Sequence, residues 1–392
     1  MAEMFTHRSR PMTLATPRRH DLDALRVAAF LLLILYHLGM FYVPWGWHVK
    51  SDHLVPQLEP WMGAINPWRL TLLFVISGAA TRFMAVRMPA PVLAAQRTQR
   101  LLIPLAFGIL VVVAPQSWAE VVEKNGYAGS FLDFWPRYLG FDQSFGIILP
   151  TYNHLWFVAY LWLYTMLAIA TRPLWERLDW LAARILKGPG LLLVPPALFG
   201  LYLATAGRTW GETHVVWADA YGHLQYGSAF LLGLLLARMD AAWGLFQRLR
   251  TGLALTAVVL LATGLALKDV ETGGGPGAIG FAFLREGYAW TTICALFGYA
   301  RRYIRSGSPI LSTLTEAVFP FYIIHQTTIV VAGHLLKRLE LSLTVEAVTI
   351  LALTIGSCWA TYAIARAVPM LRLPLGLKPL PRPSANQPAA VG

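Results

Sequence analysis

Charge is what this chain has least of. Only 13% of its 392 residues are Asp, Glu, Lys or Arg, against 56% hydrophobic, whereas a soluble domain carries about 25% charged residues. That deficit, with a mean hydropathy of +0.53, excludes an ordinary soluble protein. Cysteine is nearly absent: Cys294 and Cys358 are the two in the chain, and both fall in apolar windows. A disulfide framework and a cysteine metal site are thereby excluded, and no metal is expected. No phosphate-binding GxxxxGK[ST] loop and no HExxH occur, so neither signature P-loop nor zinc-hydrolase chemistry is signalled. Internal repeats are missing as well.

What the chain does have is apolar length. Crossing ~30 Å of hydrocarbon takes roughly 20 residues of helix, and ten such windows recur, near 23–43, 69–87, 101–118, 154–171, 191–206, 223–238, 252–267, 283–300, 314–336 and 345–366. Inside lipid the backbone must bond to itself, so these are helices. The expected fold is an all-α polytopic membrane protein, about ten transmembrane helices in one bundle. Residues 1–20 read as a cytoplasmic arm, 21–372 as the membrane domain, and the Pro-rich segment 373–392 as a disordered cytoplasmic tail.

The formal charge of +12 is a product of topology. Ten spans put 23 of the 32 Lys and Arg on one side and 9 on the other, while the 20 Asp and Glu divide 7 and 13 the opposite way. The positive-inside rule then places both termini in the cytoplasm. No basic domain stands apart from the spans, so nucleic acid is not an expected partner; the bilayer is.

Within this apolar background a few ionisable groups stand out. The first span reads DLDALRVAAFLLLILYHL (Asp21 to Leu38). Arg26 and His37 are 11 residues apart, three turns plus roughly 20°, so they share one face about 16 Å apart along the axis. His37 lies too deep to reach water, and an ionisable residue there points to function. The second span carries FVISG (Phe74 to Gly78) followed by Arg82; a late span carries FPFYIIHQ (Phe319 to Gln326), with His325 near mid-membrane. Before the third span stands RTQRLLIP, in which Arg97 and Arg100 share a helix face. Guanidinium groups so placed either anchor topology or clamp a phosphate.

These segments, in this order and at these depths, resemble the membrane acyltransferase 3 family across most of the chain, and within it a branch that acylates periplasmic glucans. LDALR with ten residues between Arg26 and His37 is similar to the first-helix signature, FVISG to the second-helix motif, RTQRLLIP to the RxxR motif, and FYIIHQ to the late histidine motif. WHVKS (Trp47 to Ser51) and NHLWFVAYL (Asn153 to Leu161) are closer to the glucan branch. The resemblance implies an acyl-CoA donor (succinyl-CoA or acetyl-CoA) from the cytoplasm, an acceptor glycan beyond the inner membrane, and ten core helices. On that reading Arg26, Arg97 and Arg100 hold the nucleotide end of the donor. His37 acts as general base or carries a transient acyl group, and Arg82 and His325 stabilise charge or orient the base. Trp47, His48, Asp52 and His154 are the expected acceptor contacts. The outer loops 44–68 and 118–153 hold six of the tryptophans, which serve as an interfacial belt or stack on sugar rings.

A second class stays open: ten helices with buried Arg and His also suit a transporter of a glycan, lipid or proton. Its paired broken helices are not matched by Pro104, Pro195 with Pro196, and Pro320. The charge split makes the topology testable. With single cysteines in a Cys-free background, Asn125→Cys should react with an impermeant maleimide from outside and Lys187→Cys from inside; the reverse pattern would invert the whole arrangement.

Overall fold

The computed structural model describes residues 18–272 and 275–380. Most of the expected N-terminal arm, and the tail beyond residue 380, lie outside the described residues. Among these, secondary structure is helical throughout. The main helices are α1 (His20–Tyr42), α2 (Glu59–Arg87), α3 (Ala90–Phe107), α4 (Ala114–Asn125), α5 (Phe131–Leu139), α6 (Trp156–Ala170), α7 (Trp175–Ile185), α8 (Pro189–Tyr202), α9 (Ser228–Leu236), α10 (Asp240–Ala266), α11 (Gly275–Tyr303), α12 (Pro309–Leu336) and α13 (Leu343–Ala367).

Each of the ten expected windows is helical, but they are not equivalent. Among the described residues seven helices are long and apolar enough to cross a membrane: those built on α1, α2, α6, α8, α10, α12 and α13. The bent pair α3 and α4, which turns by 42° at Val113 just after the π turn Gly108–Val112, makes an eighth when the two are counted as one span. The window near 223–238 is broken into short pieces, Ala220–Gly222, a π turn at His223–Gly227, and α9. The window near 283–300 lies in α11, whose 29 residues span ~43 Å but carry Arg285 and Glu286 midway, lowering its apolarity. Those two charges pair at 2.8 Å, and Gln225 donates to Glu286 at 3.1 Å. Buried charge at this depth is tolerated because it is matched inside the bundle.

Local sequence explains the breaks. Gly126 in the left-handed region (φ 67°) ends α4, and Ser130 with Asp133 forms a reciprocal capping box that starts α5. Cys294 and Cys358 are buried and unpaired. Between helices the hydrophobic effect gives no drive in lipid, so close packing does. The FVISG motif is such a contact. A methyl placed on Gly78 would fall on the carbonyl oxygen of Phe230, and one on Gly233 would fall on that of Val75. The two backbones of α2 and α9 thus touch through reciprocal glycines.

This contact predicts that Gly78→Ala, which meets backbone, destabilises by ~1–3 kcal/mol. Gly63→Ala on the same helix meets nothing within 4 Å and should be neutral or stabilising by up to ~1 kcal/mol. Melting curves in detergent decide: equal melting temperatures for the two variants would mean that α2 and α9 are not in backbone contact.

Candidate functional site

Three histidines from distant parts of the chain meet inside the bundle. α1 brings His37, the turn Asn153–Leu155 before α6 brings His154, and α12 brings His325, which is fully buried. The His37 and His325 rings lie 5.0 Å apart and nearly parallel, and His154 stands edge-on to His325 at 5.1 Å.

Hydrogen-bond logic assigns the protons. His325 Nδ1 faces the carbonyl oxygens of Tyr322 (2.9 Å) and Phe321 (3.2 Å) on its own helix. A carbonyl only accepts, so this nitrogen is the protonated one. In the neutral ring Nε2 is then the acceptor, and it lies 2.8 Å from His37 Nδ1. His37 therefore donates from Nδ1, and its Nε2 keeps a free lone pair. His154 is wired separately: its Nε2 donates to the carbonyls of Tyr322 and Ile323, each at 3.1 Å, while its Nδ1 is buried without a partner. Tyr322 closes the clasp by donating to the His154 carbonyl. Both nitrogens of His325 are consumed, so His325 and His37 form a hydrogen-bond relay, with His154 packed beside it and bonded elsewhere.

His37 opens onto a cavity of about 190 Å³ whose wall includes Trp47, His154, Arg69, Glu212 and His214. Of these, Arg69, Glu212 and His214 were not singled out from sequence. Arg69 stands at the edge of the second apolar window, on the side where nine basic residues gather; its depth was the available signal. The guanidinium lies 3.5 Å from the centre of the Tyr36 ring, and the residue is 4% exposed. Its Nε and Nη1 are buried with no hydrogen-bond partner among the described residues. Glu212 and His214 sit in the connection after α8, where no periodicity marks them. Glu212 accepts from Tyr226 Oη at 2.7 Å and faces His214 Nε2 at 3.1 Å. His214 takes a left-handed backbone (φ 56°), held by its N–H donating to Asp219 at 3.0 Å, and its ring stacks on Trp156 at 4.2 Å. A non-glycine residue in that region costs of order 1–3 kcal/mol and needs surroundings that enforce it.

At the other end of α1, Arg26 lies within electrostatic range of Arg97 and Arg100 on α3. Asp23 accepts from Arg26 at 3.2 Å. Nε of both Arg26 and Arg97 is buried without a partner among the described residues. Guanidinium groups gathered in this way suit an anion.

Three expected members are elsewhere. Arg82 donates to Asp179 and lies over the Trp175 ring at 4.2 Å. It follows Arg69 by 13 residues, ~20 Å along α2, so an arginine at the histidines has to be Arg69. His48 is engaged by Glu120 at 2.5 Å, and Asp52 pairs with Lys337 at 3.2 Å. The WHVKS segment is an anchor for its loop. Ser51 donates to the buried Glu346 at 2.6 Å, and Lys50 donates to the carbonyls of Met40 and Val43, with burial pulling its ammonium down to about 8. Of that segment Trp47 alone reaches the cavity, with its ring 6.3 Å from His37.

The chain is 29% identical over 152 residues to glucans biosynthesis protein C of Escherichia coli O6:K15:H31 (strain 536 / UPEC), covering 39% of this chain and 38% of the relative. It is 28% identical over 155 residues to the protein of the same name from Salmonella paratyphi B (strain ATCC BAA-1250 / SPB7), covering 39% and 38%. The matches thus span well under half the length of either relative. No solved structure matches. Residues 19–365 match the acyltransferase domain of the acyltransferase 3 family, a stretch that contains the three histidines, the inner arginines and the cavity. The chain belongs to that family and is a membrane acyltransferase.

Proposed function

We propose that this acyltransferase moves an acyl group from cytoplasmic acyl-CoA to a hydroxyl of an extracytoplasmic glycan, a periplasmic glucan, across the inner membrane, with His37 Nε2 as the general base. The observation that carries this reading is the chain from the α12 carbonyls through His325 to His37. It pins one imidazole tautomer and leaves the basic nitrogen at a cavity. An imidazole titrates near neutrality and is suited to take a hydroxyl proton.

The donor fits the long axis of α1. Its phosphates meet Arg26, Arg97 and Arg100, and its uncharged arm runs the ~16 Å to His37, where the thioester carbonyl enters the cavity. The acceptor hydroxyl arrives from the other side, past Trp47, Trp156 and the Glu212–His214 pair, whose flat rings and polar edges suit a sugar. The matched relatives' name supports a glucan acceptor. The reaction needs no metal: the hydroxyl oxygen attacks the carbonyl carbon as His37 takes its proton, and the imidazolium returns that proton to the leaving thiolate.

A proton-coupled transporter would need the relay to continue beyond His325. Instead the His325 Nδ1 proton ends on carbonyls of its own helix, which cannot pass it on, and this favours the base over a proton path.

Two measurements test the reading. With purified protein, acetyl-CoA or succinyl-CoA, and β-glucan oligosaccharides, His37→Gln should lower coenzyme A release per folded molecule by ~10²–10⁴-fold, with donor binding intact. His325→Gln should cost less, since it frees the His37 tautomer without removing the base. Near wild-type turnover of His37→Gln would refute the assignment. The inner site is tested by binding: Arg97→Ala with Arg100→Ala should weaken coenzyme A affinity by at least tenfold, taking each charge-assisted phosphate contact as ~1.5–3 kcal/mol. Unchanged affinity would reduce both arginines to topology anchors.

A further inference from the structure

Arg69 carries an unexplained charge. It is almost fully buried partway along α2, and among the described residues it forms no ion pair; its polar neighbours are the neutral Tyr36 and Tyr226, and Glu212 in the same cavity acts on it only at range and is already committed to Tyr226 and His214. A guanidinium taken out of water without a partner is costly, and two of its donors, Nε and Nη1, are left with no acceptor. Arg82 and Arg285, by contrast, are each matched by a carboxylate. The Arg69 side chain is nevertheless held in place, flat against Tyr36, the residue next to His37 on α1. Arg69 and His37 line one cavity.

We propose that Arg69 is a catalytic residue, the donor that holds the thioester carbonyl oxygen as it becomes an oxyanion; this rests on the acyl-transfer reading above. The acceptor oxygen forms a bond to the carbonyl carbon while its proton passes to His37 Nε2. The carbonyl π pair moves onto oxygen, where Arg69 N–H groups receive it. Collapse restores the carbonyl and breaks the carbon–sulfur bond, and the thiolate takes the proton back from His37. Products are the acyl ester and coenzyme A thiol, with atoms and charge balanced. The two other donors wired near the base are spent: His154 Nε2–H on two carbonyls, His37 Nδ1–H on His325. A fixed charge in a water-poor cavity gives its full effect when the oxyanion appears, because no solvent has to reorganise. The unpaired state of the resting arginine is the cost of that readiness.

The experiment measures kcat and KM of wild type, Arg69→Gln and Arg69→Lys in proteoliposomes, with acetyl-CoA and succinyl-CoA as donors and linear β-glucan oligosaccharides as acceptor. Losing the oxyanion donor should lower kcat ~10²–10³-fold equally for both donors, with both KM values and coenzyme A binding unchanged. Arg69→Lys should recover part of the rate, and guanidinium ion should restore turnover to Arg69→Gly but not to His37→Gln. A loss confined to succinyl-CoA would make Arg69 a reader of the donor's terminal carboxylate, a rise in acceptor KM alone would make it a sugar contact, and wild-type kcat would give it no role; each overturns the proposal. Guanidinium rescue separates chemistry from folding, since a merely structural arginine regains stability and not kcat per folded molecule. A wild type that releases no coenzyme A with either donor would sink the acyl-transfer reading itself, whereas active wild type with fully active Arg69→Gln sinks only the role of Arg69.

Discussion

The hydrogen bond between His37 Nδ1 and His325 Nε2, 2.8 Å long, is the contact on which the site depends. It joins the first helix of the bundle to α12, and it does so where water cannot substitute for a missing partner. In hydrocarbon an unsatisfied polar group costs several kcal/mol, so each histidine must find its complement within the protein. The carbonyls of Phe321 and Tyr322 set the first proton, and every later assignment follows from that one. Without this bond either His37 tautomer is allowed, and the basic nitrogen faces the cavity only part of the time.

The same constraint organises the remaining buried charge. Glu286 is met by Arg285 and Gln225, Glu346 by Ser51, and Arg82 by Asp179. Where ions are matched in this way, they hold helices or loops together. Matching is the rule, and among the described residues the buried polar atoms left without a partner include donors on Arg26, Arg97 and Arg69 and Nδ1 of His154, beside others such as Arg82 Nη1, Gln116 Nε2 and Gln225 Oε1. The first four belong to the inner arginine cluster or to residues that line the cavity, where the proposal above puts the acyl donor and the acceptor. Packing adds its own requirement, since the α2 and α9 backbones that carry Arg69 and line the bundle touch through Gly78 and Gly233.

Charge along the molecule follows the direction of the proposed reaction. On that proposal the basic inner end collects the phosphates of the donor, an apolar stretch of α1 passes its uncharged arm, and the cavity offers aromatic rings with one carboxylate, Glu212.

Sequence by itself determined a good deal here, because hydropathy, positive-inside charge and helical spacing are local properties. They were enough for an all-helical membrane chain, for Arg26 and His37 on one stripe, and for His325 as the second deep histidine. They were not enough to rank the ten windows, since the π turns and short pieces around residues 220–236 depend on how neighbours pack. Spacing within one helix says nothing about which helices meet. Arg82 and Arg69 sit on the same α2 with the same chemistry; only the tertiary arrangement puts Asp179 beside one and leaves the other open beside His37. Likewise only the fold brings Glu120 to His48 and Lys337 to Asp52, two of the expected acceptor contacts, while it leaves Trp47 at the cavity. What the fold alone decided is which polar groups are spent on each other and which are left for a substrate, because pairing inside a membrane is a property of three-dimensional neighbours.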